Sequence, residues 1–352
     1  MKICNIGKII TAKIDGTNLT RDNYISTENM LSNCGGVVAS SSVPSTKVTR
    51  FSKHDVLLSN IRPYFKKVWF ARFDGGCSND VICIRANEKD CLSQYLYYAI
   101  STDSFIDSFS ASSKGTKMPR GDKNALLSYE IPDRTIDEQQ HIVDILGTLD
   151  DKIENLEEVN SKIQSYCIAK YRLLFSNVER IPLSNIAAIT MGQSPAGNTL
   201  NEKDGVIFYQ GRTDFGFRYP TVRLFTTDPK RMANTGDILL SVRAPVGDVN
   251  IAAEDCCIGR GIAAISSEYN SFVYYSILNQ KSDFDIYNNS GTIFGSINRD
   301  ALSAFKIPAA NIALIEKFES VASELDKVIH NNTLKIYKLR ALKQLYLHKF
   351  FG

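Results

Sequence analysis

Residues 136–175 read IDEQQHIVDILGTLDDKIENLEEVNSKIQSYCIAKYRLLF, and apolar side chains recur along them at alternating spacings of four and three. A period of about 3.5 residues is typical of a long helix that packs against a second helix along one seam. Residues 312–351 carry a comparable pattern. Pro132 and Pro308 lie just upstream, as expected of loops that precede helices. The sequence therefore predicts two long helices.

These helices close the two copies of a tandem repeat. From residue 115 to residue 175, the matching positions of the second copy lie 176 residues later without a gap. Farther upstream, Asp55-Val-Leu-Leu-Ser59 corresponds to Asp237-Ile-Leu-Leu-Ser241 at an offset of 182, so a few residues are inserted in loops. Each copy is thus a divergent module followed by a better matched helix.

The modules mix segments of both kinds of secondary structure. Strands are predicted at 55–58, 81–84, 238–242 and 262–265, and shorter helices at 93–101 and 272–278. The predicted fold class is α/β (mixed α+β), in which each module is followed by a long helix that carries a coiled-coil seam. The predicted segments are modules at 1–134 and 177–310 and long helices at 135–176 and 311–352.

One asparagine interrupts each seam, Asn160 in the first helix and Asn332 in the second. A buried asparagine in a helical seam fixes the register and the choice of partner. If the helices pack antiparallel about their midpoints, these residues face each other, and we expect their side chains to meet. Alternatively, both are solvated at frayed points of the seam.

Positive charge is concentrated in the first module. Between residues 47 and 72 lie seven basic residues and a single acid, Asp55, with aromatic residues interleaved: Phe51, Tyr64, Phe65, Trp69 and Phe70. This composition indicates a surface that faces nucleic acid, although a solvated basic strand pair would look the same. The candidate contact residues are Lys47, Arg62, Lys66 and Lys67, and we expect Lys66 and Lys67 to contact phosphates.

The second module is more balanced in charge. Its candidates are Gln210, Arg212, Arg218, Arg223 and Arg243. Arginine and glutamine side chains can make paired hydrogen bonds to base edges in the major groove. The helix segment 137–160 is the opposite case, with eight acids and one lysine. We expect phosphate to repel this segment, which should therefore face protein or solvent.

A Gly-Thr loop joins each module to its last short segment. Residues 115–120 include the candidates Lys117 and Arg120, and residues 291–296 are their counterparts. Small and polar residues there would let the backbone approach phosphate. A plain tight turn is an equally good interpretation.

Composition excludes several other classes of protein. The chain has 352 residues, a net charge of +3 and 43% hydrophobic residues, as in an ordinary globular protein. Its eight cysteines form no CxxC pair, so no zinc or other metal site is expected, and the vicinal pair Cys256-Cys257 is expected in a core. No apolar run could span a bilayer and the first residues lack a signal-peptide pattern, so we expect a cytoplasmic protein.

Motifs of common enzymes are missing from the sequence, among them the Walker phosphate loop, GxGxxG, a nucleophile elbow and the methyltransferase tetrapeptide Asn/Asp-Pro-Pro-aromatic. A loose nuclease pattern is formed by Asp133, Asp150 and Lys152. The second copy replaces Asp133 by Ala309 and Lys152 by Val328, which argues against a nuclease. The chain is interpreted as a binding protein.

Over its whole length the sequence resembles the specificity (S) subunits of type I restriction–modification enzymes. The resemblance rests on the twofold repeat, the Asp-x-Leu-Leu-Ser stretches, the Gly-Thr loops, and Ile131-Pro132 followed by Glu138-Gln139 and the long helix. The second copy departs from the last of these, because Leu314-Ile315-Glu316 replaces Glu-Gln.

The resemblance implies a non-catalytic subunit with two target recognition domains, each reading one half of a split double-stranded DNA site. It implies two modification (methyltransferase) subunits and restriction (translocase–nuclease) subunits as partners. S-adenosylmethionine, ATP and Mg are then expected on those partners, with no cofactor in this chain. It also implies that the two long helices form an antiparallel coiled coil with internal pseudo-twofold symmetry. This coiled coil would hold the domains apart, so its length would set the gap between half-sites.

Two alternatives stay open. The chain could be a stand-alone sequence-specific DNA-binding protein, or the specificity subunit of a methylation-only system. A DNA-modifying enzyme that acts alone would need a catalytic motif, and the sequence contains no methyltransferase tetrapeptide and no convincing nuclease motif.

Overall fold

Two helices, Ile136–Phe175 and Ile312–Phe351, occupy the stretches predicted to be helical. The computed structural model describes residues 1–113, 115, 117–288, 295–308 and 311–352. Thr135 starts the first helix through a capping box, in which the Glu138 carboxylate accepts the Thr135 N–H at 2.9 Å and the Thr135 hydroxyl accepts the Glu138 N–H at 3.3 Å. At the second helix, Asn311 Oδ1 accepts the Ala313 N–H at 2.7 Å.

The chain divides into two units. Unit 1 comprises Met1–Asn155 and Lys335–Gly352, and unit 2 comprises Leu156–Leu334. Each long helix therefore contributes one part to unit 1 and the other to unit 2. The modules and helices, predicted as separate segments, pack together within these units.

Unit 1 contains short helices and strands in front of the first long helix, α5. The helices are α1 (Ile3–Ile6), α2 (Ser93–Ile100), α3 (Asp103–Ala111) and α4 (Lys123–Ser128), with 3₁₀ turns at Gly16–Asn18 and Pro63–Phe65. The strands are β1 (Gly7–Ile9), β2 (Lys13–Asp15), β3 (Tyr24–Ile25), β4 (Lys47–Phe51), β5 (Val56–Ser59), β6 (Val68–Phe70), β7 (Gly75–Cys77) and β8 (Val81–Ala86).

The described strands of unit 1 form two sheets. One has the antiparallel order β1-β8-β5-β6, and the other has the order β2-β4-β7-β3, in which β3 runs parallel to β7. Strand β5 is buried on both faces, since Val56 and Leu58 join the core around α2 and α5 whereas Leu57 joins the core of the second sheet. A strand covered on both sides explains the uninterrupted apolar run.

Unit 2 has its own set of elements before the second long helix, α9. The strands are β9 (Arg180–Pro182), β10 (Ala188–Met191), β11 (Leu200–Asn201), β12 (Val206–Tyr209), β13 (Leu224–Thr226), β14 (Met232–Ala233), β15 (Ile238–Ser241), β16 (Val249–Ile251), β17 (Cys256–Ile258), β18 (Ile262–Ser266) and β19 (Lys306–Pro308). The helices are α6 (Asn270–Asn279), α7 (Asp285–Asn288) and α8 (Arg299–Ser303), with 3₁₀ turns at Leu183–Asn185, Gly197–Thr199, Arg212–Asp214 and Lys281–Phe284.

The topology of unit 2 repeats that of unit 1 in the described strands. The antiparallel order β10-β18-β15-β16 corresponds to the first sheet of unit 1. The other sheet has the order β11-β13-β12-β17-β14. Its strand β17 has one parallel neighbour, β12, and one antiparallel neighbour, β14. In unit 1, β7 likewise has the parallel neighbour β3 and the antiparallel neighbour β4. Strands β9 and β19 form a separate pair. The predicted tandem repeat is therefore confirmed.

The Asp-x-Leu-Leu-Ser stretches have a structural role at both ends of their strands. Asp55 is buried before β5, where it accepts the Ser52 N–H at 2.7 Å and two hydrogen bonds from Arg85, each 2.7 Å long. At the other end, the Ser59 hydroxyl donates to the Ile61 carbonyl at 3.0 Å. Asp237 and Ser241 are buried in the same way in unit 2. The motif thus holds the turns on either side of a central strand.

The Glu-Gln signal at the start of α5 is also explained by contacts in unit 1. Gln139 is buried, accepts the Leu92 N–H at 2.9 Å and donates to the Asp90 carbonyl at 3.1 Å. It therefore ties α5 to the loop before α2. In unit 2, Glu319 on α9 accepts the N–H groups of Ser271 and Phe272 at the start of α6. A different residue thus ties the helix to the module where the second copy departs from the motif.

Within each unit, the two long helices contact each other in antiparallel directions. In unit 2, the Tyr171 and Phe318 rings lie 5.8 Å apart, and the Asn332 amide donates to Asn160 Oδ1 at 2.9 Å. The predicted contact between the two asparagines is confirmed, and both are buried. In unit 1, Lys343 pairs with Asp150 at 2.5 Å. Coiled-coil packing itself, and the role of the asparagines in fixing the register, stay predictions.

An aspartate on each long helix binds the neighbouring module. In unit 2, Asp326 accepts hydrogen bonds from the Tyr275 hydroxyl at 2.8 Å and the Ser271 hydroxyl at 2.7 Å, and forms an ion pair with Arg218. The side chain of Arg218 has 0% exposure, and its guanidinium lies 3.7 Å from the centre of the Tyr274 ring. Burial raises the pKa of the Tyr275 hydroxyl, which therefore stays protonated as the donor.

Unit 1 builds the same network with a different cation. The Tyr98 hydroxyl donates to Asp150 at 2.9 Å, and Lys343 supplies the positive charge, 5.4 Å from the centre of the Tyr98 ring. The counterpart of Lys343 in the repeat is Cys167, a buried thiol. Lys343 belongs to the second long helix, whereas Arg218 belongs to the module itself. In each unit, a cation compensates a partly buried carboxylate on a long helix.

The asparagine pair can be tested by substitution. Asn332→Leu removes the donor and leaves the Asn160 carbonyl buried without it, which should lower the free energy of unfolding by about 1–3 kcal/mol. The double variant Asn160→Leu/Asn332→Leu replaces both polar groups, and we expect it to regain most of that loss. Urea unfolding followed by circular dichroism measures the coupling. Strictly additive losses would contradict a direct interaction.

The Arg218–Asp326 network should behave as a buried ion pair. Arg218→Met leaves Asp326 without its cation and should lower the free energy of unfolding by about 3–5 kcal/mol. Arg218→Met combined with Asp326→Asn should lose much less, because no unpaired charge remains. As a control, Lys230→Ala breaks an exposed pair with Asp228 and should change stability by under about 1 kcal/mol. A similar small effect for Arg218→Met in urea unfolding would disprove the role of the buried pair.

Candidate nucleic-acid interface

Three loops meet at one edge of each unit, and we call this place the loop edge. In unit 1 they are the loop after β5 (60–66), the β7–β8 turn (78–80) and residues 117–121. The Asn60 N–H donates to the Asp80 carbonyl at 2.8 Å, and the Gly121 N–H donates to the Asn60 carbonyl at 3.1 Å. The strands thus deliver three irregular segments to one surface.

Unit 2 has the equivalent loop edge. It consists of the loop after β15 (242–247), the β17–β18 turn (259–261) and residues 295–297. The Val242 N–H donates to the Gly261 carbonyl at 2.9 Å, and the Ile297 N–H donates to the Val242 carbonyl at 3.0 Å. The same backbone frame therefore carries different side chains in the two units.

An exposed arginine lies on the same backbone bridge in both units. In unit 1 the bridge joins Ile61 to Arg120, and in unit 2 it joins Arg243 to Ser296. In unit 1 the arginine is in the later of the two bridged segments, and in unit 2 it is in the earlier one, the loop after β15. Arg120 is 57% exposed and pairs with Asp80 at 2.8 Å, and Arg243 is exposed. The structure thus places both sequence candidates at corresponding positions of the loop edge.

Arg62 and Lys117 lie exposed at the loop edge of unit 1. The Arg62 N–H donates to the Pro119 carbonyl at 2.8 Å, which joins the loop of Arg62 to that of Lys117. Lys47 begins β4, on the end of the strand that lies toward the β7–β8 turn, and is also exposed. Arg62 and Lys117 are therefore the candidates that share the loop edge with Arg120, whereas Lys47 belongs to the second sheet.

In unit 2, Gln210 and Arg212 lie beside the β17–β18 turn. Both are exposed, and an ideal Cβ on Gly261 would approach the Gln210 carbonyl oxygen to 2.7 Å. Arg212 Nε pairs with Asp248 at 2.5 Å, and Lys281 pairs with the same carboxylate. Burial tends to raise the pKa of Asp248, but its hydrogen bonds to Lys281 and Arg212 outweigh burial and hold that pKa below its usual value.

Arg260 is an exposed cation at this edge that the sequence analysis missed. It lies between Gly259 and Gly261 in the β17–β18 turn, and its N–H donates to the Ser194 hydroxyl at 3.2 Å. The two flanking glycines are the signal that could have revealed a tight, exposed turn there. The structure thus brings Arg243 and Arg260 to this edge, with Arg212 beside them.

The prediction that Arg218 contacts DNA is wrong. Its side chain has 0% exposure and compensates Asp326 inside unit 2. Arg223 is exposed and pairs with the buried Asp214. A basic residue in a polar loop can reach a base only if the fold leaves it at the surface, and no local pattern distinguishes the two cases.

Lys66 and Lys67 are also poor candidates for phosphate contacts. The Lys66 side chain is only 10% exposed, and its Nζ pairs with Asp103 at 2.7 Å. Lys67 Nζ donates to the Thr27 carbonyl at 2.6 Å, and partial burial lowers the pKa of its ammonium group. Both ammonium groups stabilise the loops of unit 1, which corrects the prediction made from charge density.

The interleaved aromatic residues divide into two groups. Phe51 and Trp69 are buried in the core of the second sheet, and Phe70 packs on His54 and Tyr97. By contrast, Tyr64 is 56% and Phe65 40% exposed. Only this second group can face a ligand.

The Gly-Thr loops lie partly outside the described residues. The prediction of close phosphate approach concerns Thr116 and residues 291–294, which lie outside the described residues. Gly115 has a φ of +100°, a conformation that favours glycine.

Metal-ligating side chains do not cluster in the part of the chain that is described. No cluster of three or more His, Cys, Asp or Glu side chains is placed there to hold a metal. Cys256 and Cys257 are buried, as expected, and burial raises the pKa of Cys256 to about 12. None of the described helices is both long enough and apolar enough to cross a membrane.

Comparisons with known proteins agree with this duplicated architecture. Residues 2–165 and 176–335 each match the family model described as type I restriction modification DNA specificity domain. A type I restriction enzyme specificity subunit of Methanocaldococcus jannaschii, MjaX, is 32% identical over 229 residues, covering 58% of this chain and 53% of that protein. The EcoDI specificity subunit of Escherichia coli is 28% identical over 130 residues, covering 35% of this chain and 29% of that protein.

The alignments therefore span about half of the M. jannaschii relative and less than a third of the E. coli one. Among solved structures, the S subunit of a type I restriction–modification system from M. genitalium has a TM-score of 0.61 and 18% identity, with 100% of this chain and 95% of that chain covered. This likeness concerns the fold. Because the family model matches both copies of the repeat, the chain belongs to the family of type I restriction modification DNA specificity domains.

Proposed function

We propose that this chain is the DNA sequence-recognition and assembly subunit of a type I restriction–modification complex. The observation that carries the proposal is the duplicated loop edge, where one backbone frame presents different cations in the two units. Two loop edges with the same backbone frame but different side chains suit a DNA site whose two halves differ in sequence. In this interpretation the target recognition domains are the modules at 1–134 and 177–310.

The cations of the two units suit different kinds of DNA contact. Arg62, Lys117 and Arg120 in unit 1 suit phosphate contacts, which position a protein on DNA without reading its sequence. Arg212 in unit 2 suits base reading, because its side chain is 52% exposed and the atom that pairs with Asp248, at 2.5 Å, is its Nε. A guanidinium fork held in this way can bind guanine O6 and N7 together.

The long helices supply the surface for assembly in this proposal. On α5 in unit 2, Val159, Tyr166 and Leu173 follow each other at seven-residue spacing, and they are 44%, 52% and 82% exposed. Positions seven residues apart lie on the same side of a helix, so they form an apolar stripe. We assign this stripe to modification subunits, with restriction subunits completing the complex.

The chemistry is assigned to those partners, and this chain is the non-catalytic subunit. S-adenosylmethionine, ATP and Mg would act on the modification and restriction subunits, and no cofactor is proposed for this chain. The sequence has no methyltransferase tetrapeptide or Walker loop, which supports this assignment. The proposed location is the cytoplasm, where the DNA and the partner subunits would be.

Two other functions remain testable alternatives. A stand-alone DNA-binding protein would need no partner for the apolar stripe on α5, and the specificity subunit of a methylation-only system would lack a restriction subunit. The genes beside the one encoding this chain distinguish them, because the first alternative predicts neither partner gene and the second predicts only a methyltransferase gene.

Selection from a pool of random duplexes tests the proposal. The purified full chain should enrich two short sequence blocks separated by a constant gap. Arg212→Ala should relax one base pair of one block by about 1–3 kcal/mol and leave the other block unchanged. Arg212→Lys should relax the same base pair, because an ammonium group cannot form the paired contact.

Lys203→Ala serves as the matched control. Lys203 is exposed in the same unit, but it precedes β12, whereas Gln210 and Arg212 follow that strand. Its removal should leave the enriched blocks unchanged. Failure of the wild-type chain to enrich any motif, or enrichment of one continuous block, would contradict the proposed function. Equal relaxation of both blocks by Arg212→Ala would contradict the assignment of Arg212.

A further inference from the structure

The loop after β5 exposes two aromatic rings at the loop edge of unit 1. Tyr64 and Phe65 lie in the 3₁₀ turn Pro63–Phe65, with ring centroids 4.8 Å apart. They are 56% and 40% exposed, although Phe51 and Trp69 of the same basic stretch are buried. Packing within unit 1 leaves much of both rings accessible.

The backbone around these rings is held in an unusual conformation. Arg62 and Lys66, which flank the turn, have φ values of +49° and +52°. Non-glycine residues in the left-handed region cost about 1–3 kcal/mol each and cluster at binding and catalytic sites. Strain of this kind persists only where surrounding contacts enforce it.

Those contacts are hydrogen bonds on both sides of the turn. The Arg62 N–H donates to the Pro119 carbonyl at 2.8 Å, the Asn33 N–H donates to the Phe65 carbonyl at 3.0 Å, and the Cys34 N–H donates to the Lys66 carbonyl at 2.9 Å. The buried Lys66 ammonium adds its ion pair with Asp103. The two rings are therefore presented on a fixed turn.

The charges around the turn favour a polyanion as the occupant. Arg62 directly precedes the 3₁₀ turn and is exposed. Arg120 lies close by, because the backbone bridge joins it to Ile61, the residue before Arg62. The nearby acids Asp80 and Asp103 are already paired, with Arg120 and Lys66. Apolar rings in a cationic frame suit stacking on nucleic-acid bases.

Unit 2 offers an internal comparison. At the same place in its loop, after the bridge that begins at Arg243, the residues are Ala244-Pro245-Val246-Gly247. Val246 is buried, and a Cβ on Gly247 would collide with Phe284. The corresponding turn therefore carries a small, inward-packed sequence where unit 1 carries two exposed rings.

We infer that Tyr64 and Phe65 form a wedge that stacks into one base step of the half-site bound by unit 1, whereas unit 2 leaves its half-site stacked. The inference rests on the proposed function, since it requires unit 1 to bind duplex DNA. Apolar wedges unstack and kink a base step, at the least cost at the flexible steps TA and CA/TG. One half-site should therefore require a pyrimidine–purine step.

The test uses the full chain and the best duplex from the selection, with 2-aminopurine placed in turn at each position of both half-sites. Fluorescence of this base rises when it unstacks. Wild-type chain should raise it several-fold at one step of one half-site only. Tyr64→Ala/Phe65→Ala should abolish the rise and weaken binding about 5- to 100-fold. Tyr64→Phe/Phe65→Tyr keeps both rings and should retain the rise.

Tyr337→Ala is the matched control, since Tyr337 is a 42% exposed tyrosine of the same unit but lies on α9 and not in the three loops of the loop edge. It should leave fluorescence and affinity unchanged. Circular dichroism should confirm that the alanine variants fold, as expected for exposed side chains. If wild-type chain enriches a split motif but the double alanine variant keeps the same affinity and fluorescence, the wedge is disproved while the proposed function stands.

A defect that appears only when a methyltransferase subunit is present would also disprove the wedge, because the rings would then contact protein. Absence of any enriched motif with wild-type chain is a separate outcome. It contradicts the proposed function and the wedge together, before any variant is compared. The two failures are therefore distinguishable in one series of measurements.

Discussion

The aspartate that each long helix directs at its own module is the interaction on which the rest of each unit depends. Asp150 and Asp326 both accept a hydrogen bond from a buried tyrosine hydroxyl and both are compensated by a cation near tyrosine rings. A carboxylate shielded from water in this way is costly unless it is paired. Helix and module must therefore fold together for the charge to be satisfied.

This dependence explains why the modules and helices do not separate into independent domains. In unit 2, Tyr171 and Phe175 of α5 and Phe318 of α9 belong to the same apolar core as β15 and α6. In unit 1, Leu146 of α5 and Leu347 of α9 lie in the core with α2. Each unit therefore contains one part of α5 and one part of α9. A module cut at residue 134 or 310 would expose that core.

The periodic features of the sequence predicted most of the fold. Alternating spacings of three and four identified both helices, and the repeat, with its fixed offset, placed Asn160 opposite Asn332. The strands around Leu57 and Leu239 followed from apolar runs bounded by Asp and Ser. These features are local, or depend on the symmetry of the repeat, so one sequence was enough to find them.

The candidate site was predicted less well, because exposure depends on contacts between distant residues. Arg218 and Lys66 resemble surface cations in sequence, yet Asp326 and Asp103 bind them at buried or nearly buried positions. Arg120 and Arg243 lie at one bridge through backbone pairing that a count of charges cannot reveal. The exposed rings of Tyr64 and Phe65 depend on the two left-handed residues that flank them. The repeat fixes the frame, and tertiary contacts decide which loop residues are accessible.

The central claim is that two unlike readers on a repeated frame specify a split DNA site. The most direct measurement is a genome-wide map of methylated bases in cells that express this chain together with the methyltransferase subunit proposed as its partner, compared with cells that express the methyltransferase alone. The account predicts methylation that requires this chain, at a motif of two different short blocks separated by a constant gap. Methylation at a continuous palindrome, or methylation that does not depend on this chain, would contradict it.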